Sequence, residues 1–431
     1  MAASGVSTVQ ERGTALPILI TRVAICIFAV SQTMLSPLIT QIGAAFGLGL
    51  GGSGFLFTAY YISNIFFCLV TGRIIAMIGK RTAMKAGLIF YALVTFAFAH
   101  THSFAIACVF ISCMGALATF IEAVGMDLVD DMSPVDAASN LTMTHGIAGI
   151  GMVGGVVYSG LMLNAGYDWR TIYTMMSVAV GAVAVVFCIV RFPKMHQSAA
   201  GGLAELKHWF TRRELYPTYL ALFLYVGAEG AVTGWMATFM TTTLGYSSLL
   251  ASLGTAAIWT VVTVGRIVCA GLVGTRYTVR ALVSFLCTVC VIGILLTAGV
   301  TMPILFWVAL LLVGAGLSAL WPLIASTALD AGNNGGTVMS LILFFGYFGA
   351  AVIPYLIGLI GDAEGLRMAL IASARVCSAR SGCPLCDAAQ RVRKTHTGIN
   401  LQPLVAKRIR RLVENRQEIG YHGENQTEQR G

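Results

Sequence analysis

Charge is what this chain has least of. Of its 431 residues only 10% are charged, while 57% are hydrophobic; a soluble domain carries about 25% charged residues. That scarcity excludes a soluble globular protein and places the chain in a bilayer. A basic body that would hold nucleic acid is missing too. The formal charge is +9, but residues 1–365 hold 15 Lys/Arg against 13 Asp/Glu, and the last 66 residues hold 12 against 5. A disulfide framework is not expected. Cys26, Cys68, Cys108, Cys113, Cys188, Cys269, Cys287 and Cys290 lie inside apolar runs, where they serve as small hydrophobes. The N-terminus has no short apolar region with a small-residue cleavage site, and its first apolar run continues to about Leu38 as an uncleaved span. The membrane body contains no Ser/His/Asp or metal-ligand set, so neither an enzyme nor a cofactor is expected.

What is there is a succession of apolar runs of about the 20 residues that cross a bilayer. They fall near 16–41, 53–78, 83–100, 103–129, 142–165, 171–191, 217–243, 250–274, 281–300, 303–328 and 336–361. These eleven spans are divided by a central loop, residues 192–216. Lys80, Arg81 and Lys85 follow the second span, Arg191, Lys194, Lys207, Arg212 and Arg213 fill the central loop, and Arg276 and Arg280 follow the eighth. The alternate loops hold only Arg170. Basic loops stay inside, so the N-terminus is expected in the cytoplasm and the protein in a cell membrane, a bacterial inner membrane by preference.

The two halves repeat. "GRIIAMIGKR" begins at Gly72 and "GRIVCAGLVGTR" at Gly265, each after a long apolar run. Gly115 recurs as Gly314 and Asp131 as Asp330. Gly47 recurs as Gly245, and Trp169–Arg170 as Leu366–Arg367. The shared offset of nearly 200 residues covers six spans, so both copies enter from one face, a parallel repeat.

On these residues the chain resembles the major facilitator superfamily over about 360 residues. Gly72, Gly79, Lys80 and Arg81 resemble its signature loop between helices two and three, although Ala76 stands where that signature usually has an acid. "YDWRTIY" (Tyr167–Tyr173) resembles its entry to helix six. "YVGAEGAVTGWMATFM" (Tyr225–Met240), "ATFIEAVGMDLV" around Glu122, "LTMTHGIAGIGMVGG" and "GAGLSALWPLIAS" are similar to the fucose permease-like branch of sugar:proton symporters. The chain departs from that branch at Met126 and Asp127. The resemblance implies an all-α, polytopic membrane protein of two pseudo-symmetric helical bundles that moves a solute by alternating access.

Two acids sit deep in apolar spans, Glu122 in the fourth and Glu229 in the seventh. An ionised group at mid-bilayer costs roughly 2.5–3.5 kcal/mol on insertion scales, so each should face the interior. Both are candidates for proton coupling, with the proton gradient as energy source; Glu229 is equally a candidate for gating, and each acid has the alternative of a protonated helix–helix hydrogen bond. Sugars are held by a few polar groups and an aromatic face, which makes Gln32, Asn64, His145, Trp235, Trp259, Trp321 and Tyr347 candidates for binding. Trp321 falls at the repeat position of Glu122, so the two are expected across the cavity from one another. Arg73, Lys80, Arg81, Arg266 and Arg276 are candidates for gating. Asp127, Asp130, Asp131 and Asp136 offer acidic partners for Lys80, Arg81 or Arg73. Arg22 is expected to snorkel to the interface. Gly149, Gly151 and Gly154 form a GxGxxG pattern, but without a preceding strand it reads as close helix packing.

The expected layout is an N-terminal six-helix bundle at residues 1–191, the central loop at 192–216, a C-terminal bundle with five clear helices at 217–370, and an atypical tail at 371–431. "GLRMALIAS" starts a twelfth span, then "ARVCSARSGCPLCDAAQRVRKTHTG" replaces it. The twelfth helix is therefore expected to be missing or replaced, with a frameshift or truncation as the leading account. Cys377, Cys383, Cys386 and His396 form only a weak zinc candidate. The expected activity is proton-coupled symport of a sugar or similar small polar solute by a monomer, with the lipid bilayer as surroundings and no nucleic acid. Its alternatives are drug or metabolite efflux by proton antiport, against which Gly154–Gly155 stands where antiporters often have Gly-Pro, and an inactive or sensing protein. If the repeat is parallel, single cysteines placed at Lys80 and Arg276 will react with an impermeant reagent from the same side of the membrane.

Overall fold

The computed structural model describes residues 3–132, 137–193, 203–272, 277–329 and 335–378. In chain order these form α1 (Ala3–Thr33), α2 (Leu35–Ala45), α3 (Leu50–Ile78), α4 (Lys80–Ala99), α5 (Phe104–Met132), α6 (Ala137–Asn164), α7 (Trp169–Ile189) and α8 (Leu203–Phe210). There follow α9 (Tyr216–Thr242), α10 (Ser248–Leu272), α11 (Val279–Gly299), α12 (Pro303–Leu317), α13 (Leu320–Leu329), α14 (Gly335–Glu364) and α15 (Leu366–Ser378). Among the described residues eleven stretches are long and apolar enough to span a membrane, as the sequence predicts. Large apolar side chains face outward, Phe66 at 64% and Ile189 at 74% exposure. Lipid accepts such groups, while the helices satisfy the backbone amides of their interiors within themselves.

Two spans expected as continuous are broken. The first divides into α1 and α2 at Met34, and the tenth into α12 and α13 at Ser318–Ala319. Proline explains both. A proline has no N–H for the carbonyl four residues back, and its ring crowds that carbonyl. Pro37 stands four residues after Thr33, and Pro322 four after Ser318. The start of a twelfth span forms α15, 13 residues long or about 20 Å, packed on α11 and α14. Residues 379–431, with Cys383, Cys386 and His396, lie outside the described residues.

The repeat is visible in matched contacts. Gly47 and Gly245 turn with φ of 68° and 71°, and Gly166 and Gly365 with 86° and 82°, backbone that favours glycine. Arg170 donates to the carbonyls of Ala99 (2.8 Å) and Thr101 (2.5 Å) at the end of α4. Arg367 donates at 2.8 Å to Ala298 at the end of α11. Each arginine thus satisfies carbonyls that a helix end leaves open. Asp168 caps α7, accepting from the Thr171 amide at 3.1 Å and from its hydroxyl at 2.5 Å. The hydroxyl bond, more than the amide, holds this carboxyl below its ordinary pKa.

The two halves meet along α3 with α14 and along α6 with α10. The glycines of the GxGxxG stretch serve packing: a Cβ on Gly151 would strike the Cys26 carbonyl of α1, and one on Gly149 would strike Thr263 of α10. At one end of the molecule the halves are tied by several hydrogen bonds. The Asp362 carboxylate of α14 accepts from the amides of Leu50 and Gly51, both at 2.7 Å, at the start of α3. Ser36 Oγ lies 2.8 and 2.9 Å from the carbonyls of Thr233 and Gly234, and Thr58 donates at 2.5 Å to Ala351. Between this end and the opposite, Lys80-bearing end lies the interior where Glu122 and Glu229 sit. Because Asp362 acts as an N-cap, Asp362→Ala will lower stability by about 1 kcal/mol, read as a lower midpoint of thermal unfolding in detergent.

Candidate functional site

Glu229 occupies the middle of α9, and its side chain is 13% exposed. One turn earlier, Tyr225 puts its hydroxyl 2.7 Å from Glu229 Oε1 and 2.9 Å from the Leu317 carbonyl. The i, i+4 spacing sets both side chains on one face of α9. From α10, Arg266 brings Nη2 to 4.0 Å from Glu229 Oε1. Its Nε donates at 3.1 Å to the Ser318 carbonyl. The partners of Glu229 therefore hold the two carbonyls at the break in the tenth span. Arg266, expected in the gate, stands in this network with its side chain 40% exposed.

Glu122 comes from α5, in the other half. It is partly exposed and has no hydrogen-bond partner among the described residues. Arg266 lies within electrostatic range of Glu122 as well as of Glu229, with Glu229 the nearer at 4.0 Å. Tyr60, Tyr61 and Tyr347 lie within electrostatic range of Glu122. Tyr61 is also in range of Glu229 and lines the same cavity as Gln32. Its ring stacks on Tyr347 across the boundary between halves, centroids 6.2 Å apart at 24°. A cavity of about 80 Å³ lies alongside, lined by Gln32, Tyr60, Tyr61, Thr233 and Trp259 among others.

The structure thus brings together Glu122, Glu229, Gln32, Trp259 and Tyr347. Other candidates are placed elsewhere. Asn64 is 1% exposed, and in the amide orientation its neighbours require it donates to the carbonyls of Tyr60 (2.9 Å) and Gly115 (2.8 Å) and accepts from Thr119 (3.1 Å). It joins α3 to α5. Trp235 is fully buried, donating at 2.9 Å to the Pro354 carbonyl with its ring against Gly54 and Gly358. Trp321 is partly buried against the apolar core on α13. His145 is exposed on α6, within electrostatic range of Arg266. Arg22 donates from Nε to Thr144 of α6 at 3.2 Å rather than only reaching for the interface. Tyr225 and Tyr61 are the contributors that sequence reasoning missed; the four-residue spacing of Tyr225 and Glu229 was the available signal.

The sequence profile of the Major Facilitator Superfamily matches residues 23–354. The chain belongs to that superfamily. Two glucose/galactose transporters of Brucella abortus strains are 27% identical over 335 residues, covering 73% of this chain and 79% of theirs. A bacterial homologue of the human lysosomal transporter Spinster superposes with a TM-score of 0.73 at 14% identity, covering 89% of this chain and 98% of its own. The E. coli fucose:proton symporter superposes with 0.60 at 17% identity, covering 88% and 99%. The chain is accordingly a membrane transporter rather than an enzyme.

In this superfamily member the basic loop between α3 and α4 is anchored within its own half. Lys80 is 6% exposed and its Nζ lies 2.9 Å from Asp131 and 3.9 Å from Asp127, both on α5. Arg81 lies over the Phe192 ring, 5.9 Å from its centroid. Arg73 and Asp130 are exposed, and Arg276, Asp136 and Asp330 lie outside the described residues. With no acid at Ala76, Lys80 finds its counter-charges on α5. Replacing it leaves Asp131 without its cation, so Lys80→Ala will cost about 2–3 kcal/mol, less than a fully buried pair because Asp127 faces solvent. Arg73→Ala will cost under about 0.5 kcal/mol; unfolding in detergent measures both.

Proposed function

We propose that this transporter carries a sugar or similar small polar solute together with protons by alternating access, as a monomer in the cell membrane. The observation that carries the reading is the pair of interior carboxylates, one from each half, sharing Arg266 beside a cavity lined by Gln32 and aromatic rings. Two acids against one guanidinium leave a surplus negative charge that a single proton neutralises. A bilayer interior favours the neutral state, so proton occupancy and movement of the site across the membrane are linked. Glu122, unbonded and facing the interior, is the proton carrier of this scheme. Gln32 and Tyr61 supply hydrogen bonds to solute hydroxyls, while Trp259 and Tyr347 supply apolar ring faces. The names of the Brucella abortus and E. coli relatives support a sugar as the solute.

In this reading residues 1–191 and 217–370 form the two moving bundles, joined by residues 192–216. The Lys80 end faces the cytoplasm, as its basic loops require, and Arg73, Lys80 and Arg81 gate that mouth. The Asp362 end is then closed to the outside, and the site is reached from within. Proteoliposomes given an inward proton gradient and a panel of hexoses test this. Wild-type protein will accumulate at least one hexose, and dissipating the gradient will abolish accumulation. Glu122→Gln will lose gradient-driven accumulation yet keep exchange of labelled for unlabelled solute. Full accumulation by that variant would remove Glu122 from coupling.

A further inference from the structure

The Tyr225 hydroxyl has one hydrogen, yet it lies within hydrogen-bond distance of two oxygens, Glu229 Oε1 at 2.7 Å and the Leu317 carbonyl at 2.9 Å. A carbonyl can only accept, and an ionised carboxylate can only accept. Both contacts are good hydrogen bonds at once only when Glu229 is protonated. Its O–H then donates to Tyr225 Oη, and Tyr225 donates to Leu317. Once the Glu229 proton leaves to water, the carboxylate claims the Tyr225 hydrogen and the Leu317 carbonyl loses its donor. The next carbonyl, Ser318, has no N–H from Pro322 four residues on and relies on Arg266 Nε at 3.1 Å. An ionised Glu229 competes for that guanidinium too, since Nη2 is already 4.0 Å from Oε1.

We infer that Tyr225 and Arg266 make the break between α12 and α13 a proton-sensitive hinge: a neutral Glu229 pins both free carbonyls, and an ionised Glu229 releases them. Tyr225 is a positioning residue here, acting through Glu229. Among the described residues, Glu122 of α5 stands near Glu229 through the Arg266 that both face. Arg266 comes from α10, Tyr61 from α3 and Cys290 from α11. The sequences of α2 and α13 hold no charged residue, and those of α14 only Asp362 and Glu364 at its far end. Arg375 of α15 is exposed. The inference goes beyond the proton-coupled reading above, which puts the coupling proton on Glu122, by making Glu229 a second acid that titrates during transport, and its test needs no solute.

Hydrogen–deuterium exchange of the full chain in nanodiscs, followed for residues 317–323 and corrected for intrinsic pH dependence against α11, reads the hinge directly. In wild-type protein the exchange will rise about tenfold through one titration as pH increases. Glu229→Gln, whose amide donates to Tyr225 as the neutral acid does, will hold the slow rate at every pH. Tyr225→Phe, which leaves the Leu317 carbonyl without its donor at every pH, will exchange faster than wild type at low pH and keep only the smaller pH dependence that runs through Arg266 and Ser318. Wild-type pH dependence persisting in Glu229→Gln overturns the hinge, as does a Tyr225→Phe profile matching wild type. If Tyr225→Phe does not fold, Glu229→Gln decides alone. Absence of hexose uptake together with the expected exchange pattern would count against the sugar reading and leave the hinge standing.

Discussion

Inside a bilayer a polar group that loses its partner has no water to turn to, and this constraint shapes the site more than any other. A broken helix in the tenth span leaves carbonyls at Leu317 and Ser318 that lipid cannot satisfy. The protein answers with Tyr225 and Arg266, and Arg266 in turn has to have its charge balanced. Glu122 and Glu229, the two acids in its range, supply that balance. Irregular backbone, cation and acid are therefore three parts of one solution, and each would be costly without the others.

The same accounting separates residues that can meet a solute from residues that hold the frame. The hydrogen-bonding groups of Asn64 are taken by backbone and by Thr119, and Trp235 has given its N–H to Pro354. Glu122 has no such obligations among the described residues and lies near the ring cluster of Tyr60, Tyr61 and Tyr347. Polar groups that are spent on the scaffold are poor ligands. A polar group left partly exposed in the interior keeps its bonding capacity for a solute or a proton.

Much of the architecture was legible along the chain because each signal was local. Eleven apolar runs sufficed for eleven spans, since lipid asks only for length and hydropathy. The repeat could be read from Gly47 with Gly245 and from Arg170 with Arg367, because a left-handed turn requires glycine and an open helix end requires a donor. Hydropathy was blind to the breaks at Met34 and Ser318, which lie inside uninterrupted apolar runs; only the positions of Pro37 and Pro322 betrayed them. The glycines of the fifth span were rightly read as packing, and the contacts of Gly149 and Gly151 show with what.

The site was only half legible. Composition singled out Glu122 and Glu229, because a carboxylate in an apolar helix is conspicuous. It assigned Arg266 to a gate, since a Gly-Arg pair repeated from Gly72–Arg73 looks like loop punctuation. Which residues face one another depends on how α9, α10 and the α12–α13 break pack, and that rotation about each helix axis leaves little trace in sequence. The sequence by itself determined the membrane spans, their order and the duplication, because these follow from transfer of side chains into lipid. Tertiary structure alone decided that Arg266 lies near two acids and that it and Tyr225 each hold one free carbonyl, because hydrogen bonds form between neighbours in space, wherever those neighbours stand in the chain.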